Sequence, residues 1–384
     1  MSNLYRLFFI VLLVPLMAFA FNSSRFGSRG FLHVQSASVL NKGTLDFRSN
    51  LNFYTKVGDY LGEQKPANFA AVNWWDVQFS TIFSYGLMDH FDVNMMWRLY
   101  QDTNRGGGQY VGNVYNSPED FYFDLKTGSF GLSNNRFHLG ALGSVRIPAG
   151  SKHNYFFEPY TAGAFEFGLT GLVSYFNDPY LHDRSFSLHL NLGWYNHNDA
   201  GKVLYETATQ VWKASGNSSE LQYGFAFSYP TELFSLNLEL WGINFVSRPD
   251  TMAHSREDFM YLTPSVKFKP NEWFSFDLGL DVRLSGDKNT SSRYLPTPST
   301  SLDLPNYPSW KLHLQANFRV LPFGGGEPRG SEVRSKTDFY EKLLRDREKS
   351  RNIEDELRRL RKEREQAEKE LEELRQMLEE EEGE

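Results

Sequence analysis

The chain has 384 residues, no cysteine, 16% aromatic residues and a formal net charge of −7. The lack of cysteine excludes disulfides, cysteine-ligated metals and cysteine nucleophiles, and the mild acidity argues against nucleic acid as a partner. A mean hydropathy of −0.49, with no run near the roughly 18 apolar residues of a spanning helix beyond the N-terminus, excludes a helical membrane protein. High aromatic content at low hydropathy favours strands that alternate apolar and polar residues.

Residues 1–20, MSNLYRLFFIVLLVPLMAFA, have the layout of a secretory signal peptide. Arg6 precedes a short apolar stretch, and Ala18 and Ala20 form an A-x-A cleavage site. The alternative is an N-terminal membrane anchor, for which this apolar stretch is short. The sequence predicts an exported protein in which residues 21–43 lead into the first strand.

Residues 44–321 contain about twelve stretches of period-2 alternation, which predicts an all-β module. In the first stretch Leu45 and Phe47 share one face, and Asp46 and Arg48 share the other. The predicted strands are residues 44–55, 75–85, 91–100, 120–126, 137–147, 164–176, 185–195, 221–229, 233–241, 260–268, 274–284 and 310–320.

The connections between these strands alternate between short and long. The short ones are residues 86–90, 131–136, 177–184, 230–232 and 269–273, and the long ones are 56–74, 101–119, 148–163, 196–220, 242–259 and 285–309. A globular sandwich has no reason to place every long loop at one end. An outer-membrane barrel does, because its periplasmic turns are short and its external loops are long.

The strand number decides which solvent the apolar face meets. About eight strands already make a barrel that side chains fill, so a barrel of about twelve could not pack its apolar face inward. We therefore predict an antiparallel transmembrane up-and-down β-barrel whose apolar face meets lipid and whose closure pairs every backbone group. The alternative is a soluble β-sandwich with a Phe-rich core. Aromatic residues near the strand ends are predicted to form interfacial girdles: Tyr54, Trp74, Trp75, Tyr85, Trp97, Trp194, Tyr229, Trp273 and Trp310.

The composition changes after the barrel. A Gly/Pro-rich linker at residues 322–336 precedes a Glu-, Arg- and Lys-rich helix at 337–380 and an acidic tail at 381–384. Apolar residues on alternating steps of three and four predict a coiled coil, and a single solvated helix held by Glu–Lys and Glu–Arg pairs is the alternative. The predicted seam is Ile353, Leu357, Leu360, Ala367, Leu371, Leu374 and Leu378. An even number of strands places this helix in the periplasm, where it could self-associate or bind a periplasmic protein.

Three stretches resemble Gram-negative outer-membrane β-barrel proteins of the porin-like kind. GFLHVQSASVLNKGTLDFRSNLNFY, residues 30–54, resembles the entry into the first strand, and SVRIPAGSK, residues 144–152, resembles a strand running into an external loop. KLHLQANF, residues 311–318, matches the terminal assembly motif only in part, because His313 stands where a Gly is usual. The resemblance implies the architecture and names no substrate.

The polar face of the predicted strands carries acids and bases in nearly equal number. A wall of one sign would indicate an ion-selective pore, which this wall does not. Two interpretations remain: a narrow polar channel crossed by opposed charges, or a network of ion pairs that fills the lumen. The predicted lumen-lining residues are Asp46, Arg48, Asp76, Asp92, Arg98, Asp124, Lys126, Arg146, Glu166, Glu239, Lys267, Asp277, Asp281, Arg283, Lys311 and Arg319.

Candidate catalytic groups do not form a set. His254 and Ser255 lie in a predicted external loop, and His189 and His313 are isolated positions on the polar face. His197, followed by Asn198 and Asp199, is interpreted as turn chemistry. Without a nucleophile, base and orienting group, the sequence predicts no enzyme, no cofactor and no metal site.

Two functions are consistent with these features. The first is passive passage of small polar solutes through an outer-membrane barrel with extracellular long loops. The second is a structural anchor whose periplasmic coiled coil tethers or recruits a partner. In both, outer-membrane lipid is the surrounding partner.

Overall fold

The computed structural model describes most of the barrel and part of the C-terminal helix. The described residues are 28–58, 72–106, 112–154, 157–179, 182–206, 209–231, 233–271, 273–292, 306–322, 353 and 355–369. The predicted signal peptide, most of the predicted linker and the acidic tail lie outside them. The chain divides into two units, Met1–Glu327 and Pro328–Glu384.

Within the described residues the first unit contains fifteen strands. They are β1 (Leu45–Gly58), β2 (Val72–Met88), β3 (Phe91–Gly106), β4 (Gly112–Asn116), β5 (Phe121–Leu132), β6 (Phe137–Ile147), β7 (Glu166–Phe176), β8 (Ser187–Asn196), β9 (Val203–Glu206), β10 (Val211–Lys213), β11 (Ser219–Pro230), β12 (Phe234–Ser247), β13 (Phe259–Phe268), β14 (Phe274–Arg283) and β15 (Trp310–Leu321).

Twelve of these strands form one closed antiparallel barrel. Each pairs with its neighbours along the chain, and β1 closes the sheet against β15 with Leu45 opposite Leu321 and Phe53 opposite Leu312. The other three strands are accessory: β4 pairs with the distal part of β3, and β9 with β10 forms a separate hairpin. The predicted all-β up-and-down barrel of about twelve strands is confirmed.

The predicted strand positions are close to those observed, and the main differences lie at one end. β6 has the predicted bounds, whereas β2 and β3 pair backbone to backbone as far as Asn73 opposite Gly106, well beyond the alternating stretches. Two predicted loops are therefore partly wrong. The predicted loop 101–119 contains the end of β3 and all of β4, and the predicted loop 196–220 contains the β9–β10 hairpin. Antiparallel backbone pairing does not require an apolar face, so the alternation of residue types stops before the strands do.

The two ends of the barrel differ in their connections. One end, called the short-turn end, carries residues 89–90, 133–136, 177–186, 231–233 and 269–273. The other, called the long-loop end, carries the connections after β1, β3, β6, β8, β12 and β14. The predicted alternation of short and long connections is confirmed.

Along the strands, apolar side chains lie on the outside of the barrel and polar ones on the inside. In β8, Leu190 and Leu192 are 52% and 57% exposed, whereas His189 and Asn191, which alternate with them along the strand, are buried. Leu169 on the neighbouring strand is 63% exposed. An outer wall of this composition needs hydrocarbon as its solvent, and closure leaves no unpaired edge within it.

Among the predicted girdle residues whose side chains the structure describes, Tyr54 faces the other way. Tyr54 is fully buried inside the barrel, where its ring contacts Phe157 of a long loop. It has the same parity as Asp46 and Arg48 on β1, so strand geometry directs it inward whatever its residue type. Four other predicted girdle residues lie on the outside of the barrel: Tyr85, Trp194, Tyr229 and Trp273.

The second unit contains a helix over residues 355–369. Ile353, Leu357 and Leu360 of the predicted seam are exposed, and Leu371, Leu374 and Leu378 lie outside the described residues. The coiled coil therefore stays a prediction. Among the helices that the structure describes, none has the length and apolar character needed to cross a membrane.

Candidate functional site: the occupied barrel interior

The predicted lumen-lining charges lie on the inner side of the barrel wall. Asp46, Lys267, Arg283 and Arg319 are half-buried at strand ends. The remaining residues are buried: Arg48, Asp76, Asp92, Arg98, Asp124, Lys126, Arg146, Glu166, Glu239, Asp277, Asp281 and Lys311. Ion pairs connect strands across the wall, such as Lys311 to Asp76 at 3.2 Å.

Residues 28–43, named here the lumen segment, pass through the interior of the barrel. The segment begins as a tight hairpin in which Phe31 N donates to Val34 O at 2.8 Å and Ser36 N donates to Arg29 O at 3.1 Å. It leaves at the short-turn end, where Gly43 N donates to the carbonyl of Gly86. The sequence predicted these residues as a lead-in to β1 and gave no sign that they enter the lumen.

Glu239 on β12 holds the hairpin of the lumen segment. Its carboxylate accepts three backbone hydrogen bonds, from Leu32 N at 3.1 Å and from the N–H groups of His33 and Val34 at 2.7 Å each. Glu239 is fully buried. A buried carboxylate needs such donors, because an unsatisfied one would cost several kcal/mol.

Other wall residues bind the rest of the segment through its backbone. Asn191 accepts from Gln35 N at 2.6 Å and donates to Gln35 O at 2.9 Å. Ser174 accepts from Ala37 N at 2.7 Å, and Asp92 accepts from Leu40 N at 2.9 Å. The wall thus supplies polar partners to a chain that has left water.

Two cations fix the start of the segment. Lys126 Nζ donates to Arg29 O at 3.0 Å and to Gln35 Oε1 at 3.2 Å, and Arg48 donates to the carbonyl of Ser28. The positive charges therefore sit against backbone and amide oxygens of the segment.

The wall also carries glycines where the segment comes closest. A Cβ atom at Gly128 would collide with the carbonyl oxygen of Ala37, and one at Gly140 would lie 3.1 Å from the same oxygen. Ala37 itself packs against Leu142 and Leu172 in a small buried apolar cluster. Only a wall without side chains at these positions admits the segment.

At the long-loop end, two arginines organise a buried charged network. Arg98 lies 2.8 Å from Glu119, and Arg146 lies 2.5 Å from Asp120 and 3.6 Å from Glu166. Both guanidinium groups lie over the ring of Tyr122, at 5.4 and 5.2 Å from its centroid. Burial raises the pKa of Asp120, but the Arg146 guanidinium, together with His153, the Ala149 N–H and Arg98, outweighs burial, and the pKa falls to about 2.

The network continues into the loop after β8. His197 lies between two carboxylates, 3.5 Å from Glu166 and 3.5 Å from Glu220. Burial lowers the pKa of His197, but the two carboxylates outweigh it and raise the pKa to about 9. Its neighbour Asp199 accepts from Tyr160 Oη at 2.5 Å and from Ser218 N at 2.6 Å. His197 and Asp199, interpreted from sequence as turn chemistry, are part of a buried cluster, whereas Asn198 between them is exposed.

The long loops also bind one another over this end of the lumen. Asn154 accepts from His254 N at 2.8 Å, and Phe157 N donates to Asn306 O at 2.7 Å. Tyr307 donates to the carbonyl of Ser255 at 2.6 Å. The lumen is therefore occupied by the lumen segment from one side and lined by packed loops at the other.

Two serine–histidine pairs are buried in the barrel interior. Ser174 Oγ lies 2.7 Å from His189 Nδ1, and Ser38 Oγ lies 2.8 Å from His138 Nδ1. The other ring nitrogens contact Ser187 and Asn135 rather than a carboxylate. Neither pair has the orienting acid of a hydrolytic triad.

The fold and the interior together define an outer-membrane β-barrel protein. Its outer wall is apolar, its inner wall is polar, its sheet is closed, and its connections are short at one end and long at the other.

No protein-family model matches the sequence, and no curated protein matches it. Among solved structures, an outer membrane channel from Pseudomonas putida F1 is similar over 74% of this chain and 97% of its own, at 13% identity and a TM-score of 0.45. The translocator domain of autotransporter NalP from Neisseria meningitidis is similar over 73% and 89%, at 6% identity and a TM-score of 0.40. The transport unit of the autotransporter AIDA-I from Escherichia coli is similar over 72% and 90%, at 11% identity and a TM-score of 0.38. These similarities say nothing about a solute or partner of this chain.

Proposed function

We propose that the barrel allows passive passage of small polar solutes across the outer membrane and that the lumen segment closes this passage. The observation that carries the proposal is the way the wall holds the segment. Glu239, Asn191, Ser174 and Asp92 bind its backbone through hydrogen bonds that water can replace. Departure of the segment would expose a polar surface, which is the lining of an aqueous passage.

The charge balance of the wall supports neutral or zwitterionic polar solutes over ions of one sign. Acids and bases pair across the interior, as Arg98 does with Glu119 and Lys311 with Asp76. A selective ion pore would present a ring of one charge instead.

Removal of residues 28–40 tests the closing role of the segment. This deletion keeps Asn41 and Gly43, which contact Gly86 and Thr44 at the short-turn end. We expect the deletion protein to show single-channel conductance in planar bilayers well above that of the full chain. A deletion protein that folds, as judged by heat-modifiable gel migration, and remains silent would remove the channel function.

A point variant with a matched control tests the same idea without shortening the chain. In Glu239→Gln one acceptor oxygen is replaced by a donor that faces the N–H groups of the segment, so we expect more frequent open events. Asp277→Asn is the control, because Asp277 is a buried acid of the same wall that contacts Lys267, Gln315 and Asn317 rather than the segment. Equal open probabilities in both variants would argue against gating by the segment.

The orientation in the membrane is part of the proposal: long loops outside the cell, and the short-turn end and the helix in the periplasm. The barrel rule of short periplasmic turns supports it. The chain has no cysteine, so single cysteines at Lys202 in a long loop and at Asp89 in a short turn can be labelled cleanly. An impermeant thiol reagent on intact cells should label the Lys202→Cys protein and spare the Asp89→Cys protein, and the reverse pattern would invert the orientation.

The exposed seam of the C-terminal helix favours a second function, that of a tether. Ile353, Leu357 and Leu360 are 58%, 51% and 60% exposed, and apolar residues at this spacing pack against another helix. We expect Leu357→Glu combined with Leu360→Glu to abolish self-association or capture of a periplasmic protein by the full chain. Arg358→Glu combined with Lys362→Glu, away from the seam, is the control that should leave association unchanged.

A further inference from the structure

Three buried ligand-type side chains converge where the lumen segment touches β14 and β15. His33 of the segment points its Nε2 at Asp281 Oδ1, and His313 of β15 points its Nε2 at Asp281 Oδ2, each at 2.8 Å. One candidate ligand atom from each of these residues lies within 4.8 Å of the other two. The three side chains come from three separate elements, and His33 and Asp281 are 248 residues apart in the sequence.

Neighbouring residues hold this cluster in place. Thr263 on β13 donates to Asp281 Oδ1 at 2.6 Å, and Trp241 Nε1 donates to Thr263 Oγ1 at 2.9 Å. The ring of Trp241 also stacks on His33, with centroids 3.9 Å apart and an interplanar angle of 14°. A hydrogen-bonded outer layer that orients a carboxylate and an imidazole is typical of metal sites.

We propose that His33, Asp281 and His313 bind one divalent cation of the zinc class. Two imidazole nitrogens and one carboxylate oxygen form a ligand set that suits such borderline cations rather than Ca²⁺ or Mg²⁺, which take oxygen ligands. Around a tetrahedral zinc the ligand atoms lie about 3.3 Å apart, given bond lengths of about 2.0–2.1 Å. Each histidine nitrogen lies 2.8 Å from a different oxygen of Asp281, and the three ligand atoms lie within 4.8 Å of one another. Small side-chain shifts would therefore bring two imidazole nitrogens and one carboxylate oxygen to the zinc spacing, and water would complete the coordination.

A cation at this position would act as a latch. Only His33 belongs to the lumen segment, while Asp281 and His313 belong to the wall, so the bound cation joins the two. A ligand that binds one conformation alone shifts the equilibrium toward it. Zinc would therefore favour the closed barrel, an inference that rests on the proposed gating by the segment, whereas the metal site itself does not.

Direct binding to the full, untagged chain in detergent micelles tests the site. After removal of metals with EDTA, we expect calorimetric titration to show one Zn²⁺ per chain. Asp281→Asn and His313→Gln should each weaken binding by on the order of 100-fold or more, and Thr263→Val, which alters only the outer layer, by about 10–100-fold. If the wild-type chain takes up no more Zn²⁺ than a His33→Gln/His313→Gln variant, the site does not exist.

His189→Gln is the matched control. His189 is also a buried histidine of the lumen wall that contacts the segment, through the ring of Phe31, but its nitrogens face Ser174 and Ser187. The His189→Gln protein should bind Zn²⁺ as the wild type does. Should the ligand variants fail to give heat-modifiable barrels, the absorption spectrum of Co²⁺ bound to the wild-type chain decides alone. Intense visible bands of a four-coordinate ion support the site, and the weak spectrum of hydrated Co²⁺ overturns it.

Conductance measurements distinguish the proposed zinc latch from the proposed channel function. Zn²⁺ should lower the open probability of the wild-type protein and EDTA should restore it, whereas the His33→Gln protein should respond to neither. Zinc binding without any change in conductance would refute the latch and leave the metal site. Conductance that rises on deletion of residues 28–40, in a protein that binds no zinc, would refute the metal site and leave the channel.

Discussion

Arg146 is the residue on which most of the buried negative charge at the long-loop end depends. It is 3% exposed at its side chain and contacts Asp120, Glu119 and Glu166. A single buried ion pair contributes little net stability, because desolvation offsets the attraction. Loss of a shared cation is different, since several carboxylates then remain in the interior without their counter-charge.

We expect Arg146→Met to destabilise the folded barrel by about 3–5 kcal/mol, the usual cost of breaking a buried pair from one side. Methionine keeps much of the volume and the contact with Tyr122, so the loss should be electrostatic. The measurement is the free energy of unfolding in urea from lipid vesicles.

Arg248→Met provides the matched comparison. Arg248 pairs with Asp258 at 2.8 Å, but their side chains are 53% and 35% exposed, and surface pairs contribute under about 1 kcal/mol. Equal losses in the two variants would mean that burial of the Arg146 network has no energetic consequence.

His197 makes the stability of the barrel depend on pH. Its pKa in the folded protein is about 9, raised from the model-compound value of 6.5. A raised pKa in the folded state means that the contribution is full below about pH 6.5 and is lost as the pH rises through about 9. The shift corresponds to roughly 3 kcal/mol, so the wild-type protein should be less stable at pH 9.5 than at pH 6.

His197→Gln should flatten this dependence, because glutamine does not titrate. Unfolding free energies at pH 6, 7.5 and 9.5 provide the test. His90→Gln is the control, as His90 contacts the carbonyl of Gly128 and the ring of Phe130 at the opposite end, and it should keep the wild-type profile. A His197→Gln protein that still loses stability above pH 7.5 as the wild type does would place the titrating group elsewhere.

At the scale of elements, the lumen segment and the wall fit each other through glycine. A Cβ atom at Gly128 on β5 would collide with the backbone carbonyl of Ala37, which cannot turn aside as a flexible side chain could. We expect Gly128→Ala to displace the segment while the barrel stays closed. The displaced segment should become sensitive to protease added from the short-turn side, and conductance should rise.

Gly143→Ala on β6 controls for the general effect of adding a methyl group to the wall. The nearest atom to a Cβ there is the carbonyl oxygen of Leu125, at 4.0 Å, so nothing has to move. Protease resistance should match that of the wild type. A Gly128→Ala protein with the wild-type protease pattern would show that the segment tolerates the methyl group in its present position.

The strands could be predicted from the sequence because each one is a local pattern. In β6, which has its predicted bounds, alternation over eleven residues reflects a wall between lipid and a polar interior. The lumen segment has no such pattern, because it is enclosed on all sides. Its binding partners lie far along the chain: Glu239, which holds Val34, is 205 residues away. Nothing in the residues near Val34 reveals that contact.

The site residues divide in the same way. The inward charges followed from strand parity, as for Asp92 and Lys126. His197 and Asp199 did not, since loops have no parity and their burial depends on Glu166 at the start of β7 and on Tyr160 in the loop before it. For Tyr54 the residue type was the wrong guide. An aromatic residue near a strand end predicted a position on the outside of the barrel, whereas strand parity places its side chain inside.

At the scale of the whole molecule, the outer wall determines where the protein can exist. Exposed apolar residues on neighbouring strands lie opposite one another on the barrel surface, as Leu190 does with Phe225 and Val173. A continuous surface of this kind far exceeds what a water-soluble protein exposes. In hydrocarbon, exposure of the same surface carries no free-energy penalty. A charged substitution on this surface should then destabilise the folded barrel by an amount that depends on its depth in the bilayer.

Leu190→Arg tests this directly. Leu190 lies near the middle of β8 with half its surface exposed, and an arginine at the bilayer midplane costs about 2–4 kcal/mol. We expect that loss in the free energy of folding into vesicles. Val211→Arg is the control, because Val211 is 50% exposed on the β9–β10 hairpin, which is not part of the barrel sheet. Since the two positions match in exposure and differ in solvent, a loss at Leu190 alone identifies lipid on the outer wall. Equal and small losses would mean that water surrounds both positions, and the apolar wall would then need another explanation.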